Sequence, residues 1–542
     1  MEGFLDIFGF LAVLLRALTL AFGAVSIGGV LFGCLVLRRT GDIAGSDSIP
    51  GWRLIAATAL GLSVTQASWL IANSAILAGT TGLTFTEVSG ASYFVWGCVS
   101  IVAALTLALL AKKGRSTGLP ALLCSAMILL ATVATSHSAA RLEHRGVLLL
   151  LTGAHQTATA AWIGGLPFLL LALAAANNSD LARELSRRFS RLAFASVVVL
   201  FSAGLVLACF YVGSAGAVYG TTYGVMLVSK IILFGMILVC GAVNYRIVRQ
   251  LAAGNPEFML RLKRLAEVEI GIGITAILAA ASLTSQPPAV DLVRDRVSLS
   301  MIASRMAPHW PRMTTPSLSS LSPSSREAWK REHPATVGAT QAFVPGQSYT
   351  PSTQGDIEWS EYNHHWAGIV VLAVGLLAIL SRFGNVRLAR HWPLAFLGLA
   401  VFLLLRADPE NWPLGPSGFW ESFTTADVAQ HRFFVLLITL FAVFEWRIQT
   451  KPSSSQKTAL AFPLLCAAGG AVLLTHTHAL TNIKESLLAE LSHLPIALLG
   501  VTAGWARWLE LRLPGDGGDT AGRVWPVCFL LVGVVLVLYR EA

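Results

Sequence analysis

Histidine is the residue type in this chain whose placement most directly suggests chemistry, because imidazole binds copper, zinc, nickel and iron. The chain has 12 histidines. Under the topology argued below, all but one fall at or beyond the outer ends of long apolar segments, and only His391 falls inside. Such one-sided placement suggests a shared metal site. The candidate ligands are His137, His155, His364, His365, His431, His476, His478, His493 and Glu490.

The spacing of some candidates adds detail to this prediction. Glu490 precedes His493 by three residues, so the two side chains share a face of one helix. His155 and His493 lie several residues inside apolar segments, where an imidazole without a polar partner is costly. His476 and His478 are two residues apart, so on a regular helix they point away from each other.

The types of side chain nearby limit the metals that such a site could bind. No methionine follows Met313, and Cys466 and Cys528 are predicted near the inner ends of their segments. This excludes a methionine-rich Cu(I) relay in the second half of the chain. Cu(II), Cu(I) held by two imidazoles, zinc, or haem iron between two histidines stay open. The haem alternative uses His155, His365, His431 and His493, with Arg16, Lys230 and Arg432 near the propionates.

The elements that position these residues are predicted to be membrane-spanning helices. The 542 residues are 55% apolar and 13% charged, with a mean hydropathy of +0.66, whereas soluble proteins are about 25% charged. At about 20 apolar residues per span, we expect an all-α polytopic membrane protein with about 14 helices, eight plus six. The predicted segments are 8–37, 54–79, 93–111, 119–137, 147–176, 192–213, 222–245, 266–283, 366–381, 392–405, 431–446, 459–477, 487–506 and 524–539.

The distribution of basic residues predicts the orientation of these helices, because short inner loops are enriched in lysine and arginine. If the N-terminus lies outside, the inner loops hold 24 lysines and arginines, and the short outer loops with the C-terminus hold five. Both termini should therefore face the outside, which is the periplasm of a Gram-negative cell. The same distribution explains the net charge of +10 without a nucleic-acid partner.

A proline- and serine-rich interval separates the two groups of segments. We therefore predict a membrane domain over 1–283, an outer loop over 284–363 and a six-helix domain over 364–542 that is rich in outer histidines. The chain has no CxxC motif, which excludes a zinc ribbon, and no GxxxxGK[ST] loop, so an ATP-driven pump is not expected.

Four stretches of the first half carry a family resemblance. Residues 155–166 read HQTATAAWIGGL, 230–246 run from a lysine to GAVNYR, and 264–288 begin RLAEVE and end in a proline pair. Residues 135–140 read TSHSAA. These stretches resemble the copper resistance protein D (CopD) family. The family has a Gly-His-Ala element, and at the corresponding place this chain has Ser136 before His137 instead of a glycine. Without the family, Gly164 and Gly165 predict a close helix approach, and Trp162 is placed to shield His155 from lipid.

The resemblance covers roughly residues 1–290 and implies copper handling at the bacterial inner membrane, with His137 and His155 as the carried-over histidines. Our leading hypothesis is a copper-handling protein that binds copper at a periplasm-facing histidine site and imports it or supports copper resistance. The alternative is a haem b protein with bis-histidine ligation that carries electrons. A third hypothesis is a scaffold whose long outer loop docks a periplasmic copper chaperone. We expect the lipid bilayer and copper ions to be the partners of this protein, and we expect it to bind neither nucleic acid nor ATP. No enzymatic activity is expected beyond a redox role if haem is bound.

Overall fold

The computed structural model shows an all-α polytopic membrane protein. No β-strand occurs in the described part of the chain, where Asn411 and Ser417 form an isolated bridge. The described residues are 2–37, 51–114, 118–176, 179–250, 256–293, 296–322, 328, 331, 353–383, 386–424, 426–450, 456–475 and 483–541.

The helices of the first half begin with a long helix that continues into a π-helical turn, Gly33–Leu37. They are α1 (Glu2–Phe32), α2 (Trp52–Thr81), α3 (Phe85–Ser89), α4 (Ser92–Lys112), α5 (Leu119–Ala134), α6 (His137–Ala140), α7 (Arg145–Trp162), α8 (Leu166–Ala175), α9 (Ser179–Val212), α10 (Ala215–Gly220), α11 (Thr222–Gln250) and α12 (Pro256–Leu283).

The second half contains short 3₁₀ turns between its α-helices, among them Leu318–Leu321 and Arg387–Leu394. Its helices are α13 (Leu299–Arg305), α14 (Gln354–Leu380), α15 (Ala395–Arg406), α16 (Ala426–Thr450), α17 (Gln456–Ala459), α18 (Ala461–Leu473), α19 (Ile483–Arg512) and α20 (Asp516–Val537).

The chain divides into two compact units. The first unit comprises Leu11–Ser214 and Lys230–Asp291, and the second comprises Met1–Phe10, Ala215–Ser229 and Leu292–Ala542. In the first unit α2 packs on α4, α4 on α5 and α7 on α9. In the second unit α14 and α19 both pack on α20, and α18 packs on α19.

Twelve helices among the described residues are long and apolar enough to span a membrane. They correspond to 12 of the predicted segments. The other two, 119–137 and 459–477, correspond to α5 and α18, which are apolar but shorter than a full span. The all-α membrane fold is thus confirmed, and the count of 14 spans stays a prediction.

Glycines allow close helix contacts in the first unit. A Cβ atom on Gly164 would collide with the carbonyl of Ala24 in α1, and one on Gly28 would collide with the backbone of Gly164. Small residues let membrane helices approach at this distance. The helix approach predicted for Gly164 therefore occurs, and its partner is α1.

The second unit uses the same device along the antiparallel pair α14 and α20. Cβ atoms on Gly368 and Gly375 would lie 2.6 Å from the backbone nitrogens of Val537 and Leu530, and one on Gly533 would lie 2.5 Å from that of Leu372. These contacts lie between residues 368 and 375 of α14 and between residues 530 and 537 of α20. The two helices are therefore fixed in register over this stretch.

Helix α14 begins about three turns before the apolar segment predicted at 366. Thr353 and Asp356 form a capping box, in which the Thr353 backbone nitrogen donates to the Asp356 carboxylate at 2.8 Å. A capping box satisfies backbone donors that a helix start leaves exposed. The polar residues Gln354 to His365, predicted mostly as loop, are therefore helical.

Candidate metal centre

Two of the predicted ligands meet in the second unit. His364 on α14 stacks on Tyr539 with ring centroids 3.8 Å apart, and His493 on α19 meets both rings edge to face at 5.7 Å. Glu490 lies one turn before His493 and is 6% exposed. The structure thus brings together two imidazoles from two helices, with a buried carboxyl group on one of those helices.

Both imidazoles are oriented by their own helices. The Nδ1 atom of His364 is 2.8 Å from the Ser360 carbonyl, and the Nδ1 atom of His493 is 2.8 Å from the Ala489 carbonyl. Because a carbonyl oxygen only accepts, each Nδ1 must carry the hydrogen. In the neutral ring this leaves the lone pair on Nε2, the tautomer that a metal ligand needs.

His365, the next residue on α14, is held differently. Its Nδ1 accepts from the Arg312 backbone nitrogen at 2.8 Å, and its Nε2 donates to the Tyr539 carbonyl at 2.9 Å. Both ring nitrogens are therefore engaged with backbone, and the side chain is 3% exposed. In this arrangement His365 ties α14 to its neighbours and has no lone pair to offer a metal.

His431 and Arg432 hold the loop that precedes α16. The Nδ1 atom of His431 lies 2.7 Å from a carboxylate oxygen of Asp408. Arg432 donates to the carbonyls of Leu404 at 2.6 Å and Trp412 at 2.8 Å. The guanidinium predicted to pair with haem propionates is thus bound to backbone.

His365 and Arg432 do not fit the haem alternative, because both ring nitrogens of His365 and the guanidinium of Arg432 are hydrogen-bonded to backbone groups. An axial imidazole must present a nitrogen lone pair to the iron, and His365 has none in this arrangement. We therefore derive no chemistry through a haem.

His137 and His155 belong to the first unit. The Nε2 atom of His137 donates to the Thr284 carbonyl at 2.8 Å. Burial lowers the pKa of His137, an effect that this hydrogen bond partly offsets and that the positive charge of Arg16 strengthens. His155 packs against Gly204 and lies within the electrostatic reach of Lys230, and its Nδ1 is buried without a hydrogen-bond partner.

The complete predicted ligand set is not assembled in the part of the chain that the structure describes. His476 and His478 lie outside the described residues. Within those residues no group of three or more histidine, cysteine, aspartate or glutamate side chains is placed to hold a metal ion. Among the described residues the predicted ligands contribute one histidine pair, and the histidine site stays a prediction.

A buried carboxyl group in the first unit was missed as a site residue. Glu269 on α12 is 2% exposed and accepts from the Asn244 side-chain nitrogen at 2.5 Å. It also accepts from the indole of Trp162, at the end of α7. Trp162 was predicted to shield His155 from lipid, but its polar edge is directed at Glu269. The three residues come from three of the stretches with the family resemblance.

The second unit holds a network of buried charges that was also missed. Arg507 donates to Glu445 at 2.7 Å and to Glu510 at 2.6 Å, and Arg382 donates to Glu510 at 2.6 Å. The indole of Trp525 donates to Glu510 at 2.7 Å. Glu445 is fully buried and Arg507 is 6% exposed. Each carboxylate of the network therefore has a cation beside it.

Comparison with known proteins places one region of the chain in a family. Residues 183–283 match the family described as Copper resistance protein D, CopD. Two of the resembling stretches, 230–246 and most of 264–288, fall inside this match, whereas 135–140 and 155–166 precede it.

A curated relative agrees with this match. Copper transport protein CutJ of Bacillus subtilis (strain 168) is 32% identical over 163 residues, which is 30% of this chain and 29% of the relative. The alignment thus spans less than a third of either protein. No solved structure matches the chain. The predicted resemblance to the CopD family is thus confirmed over residues 183–283.

Proposed function

We propose that this protein handles copper in the bacterial inner membrane, binding it near the predicted periplasmic side and passing it inward or holding it for copper tolerance. The CopD domain supports the copper role, as does the similarity to a protein named as a copper transporter. For the binding site, the observation that carries the proposal is the edge-to-face contact of His364 and His493 at 5.7 Å.

The chemistry of this pair suits copper. Two neutral imidazoles can hold Cu(I) in a two-coordinate arrangement, and a carboxylate such as Glu490 can add an oxygen ligand to Cu(II). The stack on Tyr539 and the bonds to Ser360 and Ala489 fix the ring orientations, as outer partners do in metal sites. His476 and His478 are proposed as further ligands of this site.

The other predicted ligands take secondary places in the proposal. His155 keeps a buried ring nitrogen without a hydrogen-bond partner, so we assign it to a second copper position within the first unit. His137 and His431 would reach copper only by exchanging their bonds to Thr284 and Asp408.

The site is tested by the copper content of the purified full chain. Wild type and the double variant His364→Ala/His493→Ala are loaded with Cu(I) under reducing conditions, desalted and measured by elemental mass spectrometry. We expect the double variant to lose a bound copper ion and the cells carrying it to accumulate less copper. His309→Ala is the control, because His309 is an exposed histidine outside the site. Unchanged copper stoichiometry in the double variant would reject the site.

A further inference from the structure

Glu269 lies where a carboxylate is costly. It stands in the middle of α12, within the membrane-spanning stretch Glu257–Leu283, and is 2% exposed. A buried ionisable residue in a membrane helix is expensive and usually functional. The groups around Glu269 therefore decide in which protonation state it can exist.

The surroundings of Glu269 supply hydrogen bonds but no cation. Asn244 on α11 and Trp162 on α7 both donate to its carboxyl group. Among the described residues, no lysine, arginine or histidine forms an ion pair with it. Nothing in this set neutralises a full negative charge, so a bound proton is the simplest neutralising species.

The titratable groups that face Glu269 are few. Cys240 on α11 interacts with it electrostatically, and His155 lies about two turns from Trp162 on α7. Helix α8, which packs on α12, has no titratable side chain. On α12 itself the neighbouring acid, Glu267, pairs with Arg264. None of these groups supplies a permanent positive charge to Glu269.

Asn244 provides an independent indication of the missing proton. It is 8% exposed, and its Oδ1 is buried without a hydrogen-bond partner, although its nitrogen donates to Glu269. A protonated carboxyl group has one O–H donor. A carboxylic acid and a primary amide can pair through two hydrogen bonds, N–H to carbonyl and O–H to amide oxygen. Protonation of Glu269 would thus satisfy the orphaned acceptor beside it.

We propose that Glu269 is a proton-binding site of the CopD domain, paired with Asn244 when protonated and releasing its proton during the working cycle of the protein. The binding step is a simple transfer of one proton to a carboxylate oxygen. Coupling of that proton to copper movement rests on the proposed function, but proton binding itself does not and is tested without copper.

The experiment is an infrared pH titration of the full chain in lipid nanodiscs, in the absence of copper. A protonated carboxyl group has a carbonyl-stretch band that shifts when hydrogen is exchanged for deuterium. We expect wild type to show such absorption that weakens as the pH is raised, and the difference between wild type and Glu269→Gln to contain a band that titrates in this way. Glu267→Gln is the matched control two residues away and should keep the band.

Asn244→Ala gives a second readout and decides the matter if Glu269→Gln does not fold. It keeps the carboxyl group but removes its partner, so we expect the band to move to higher frequency. The absence of a titrating band from the difference between wild type and Glu269→Gln, or an unmoved band in Asn244→Ala, would each overturn the proposal. Because copper is absent, failure here leaves the His364 and His493 site untouched.

Discussion

Glu269 of the first unit and Glu445 of the second are two carboxyl groups with almost no exposure, and the structure gives them different partners. Glu445 has the guanidinium of Arg507 at 2.7 Å, and Arg507 is shared with Glu510. Glu269 has an amide and an indole, and no cation pairs with it in the described residues. A fixed ion pair holds helices together permanently, whereas a carboxyl group with neutral partners can gain and lose a proton.

The largest expected effect comes from removing the cation of the second unit. Arg507→Met leaves Glu445 buried without its cation, and breaking a buried pair from one side costs about 3–5 kcal/mol. Equilibrium unfolding in mixed detergent micelles measures this loss. Arg523→Met is the control, because Arg523 is exposed on α20. Equal stability of the two variants would show that the network does not hold this unit together.

Matched tryptophan substitutions compare the two carboxyl groups directly. Trp525 donates to Glu510, and its ring also lies 5.4 Å from the guanidinium of Arg507. Trp525→Phe should therefore lower the free energy of unfolding by about 1.5–3 kcal/mol, as expected for the loss of a hydrogen bond to a charged group. Trp162→Phe removes a donor to Glu269 and should cost about 0.6 kcal/mol if that carboxyl is neutral.

The same unfolding assay measures both tryptophan variants, and the change of ring volume is common to them. A Trp162→Phe cost equal to that of Trp525→Phe would indicate that Glu269 is ionised, which would contradict the difference drawn between the two units.

Glu269→Gln should have the smallest effect on the free energy of unfolding, below the about 0.6 kcal/mol expected for Trp162→Phe, because glutamine is neutral and can still pair with Asn244. Glu445→Gln leaves Arg507 with one carboxylate instead of two and should lower the free energy of unfolding more than Glu269→Gln does. Unfolding of both variants at neutral pH gives the comparison. If Glu269→Gln were as unstable as Arg507→Met, the carboxyl group of Glu269 would be needed in its charged form.

The membrane fold and some packing could be predicted from the sequence because apolar length and small residues act locally. The contact of Gly164 with a second helix follows from the small residue alone, although α1 could not be named as the partner. The pairing of His364 with His493, and the exclusion of its neighbour His365, depend on how two helices are rotated about their axes. Hydropathy carries no information on that rotation.

Glu269 and Glu445 were missed because each lies near the predicted end of an apolar segment. A charged residue at a helix end is ordinarily solvated or snorkels to the headgroups. Helix α12 in fact begins at Pro256, which places Glu269 near its midpoint. The signal that could have identified it is the acid in the RLAEVE stretch that precedes an apolar run, read together with Asn244 and Trp162 as one polar set.

The glycine contacts between α14 and α20 have a mechanical consequence. Backbone meets backbone at Gly368, Gly375 and Gly533, so neither helix can slide or turn alone without steric collision. Over this stretch the two helices behave as one rigid unit, which begins one turn after His364 and ends within two turns of Arg382. A displacement of His364 along the helix axis would therefore be transmitted through both helices toward Arg382.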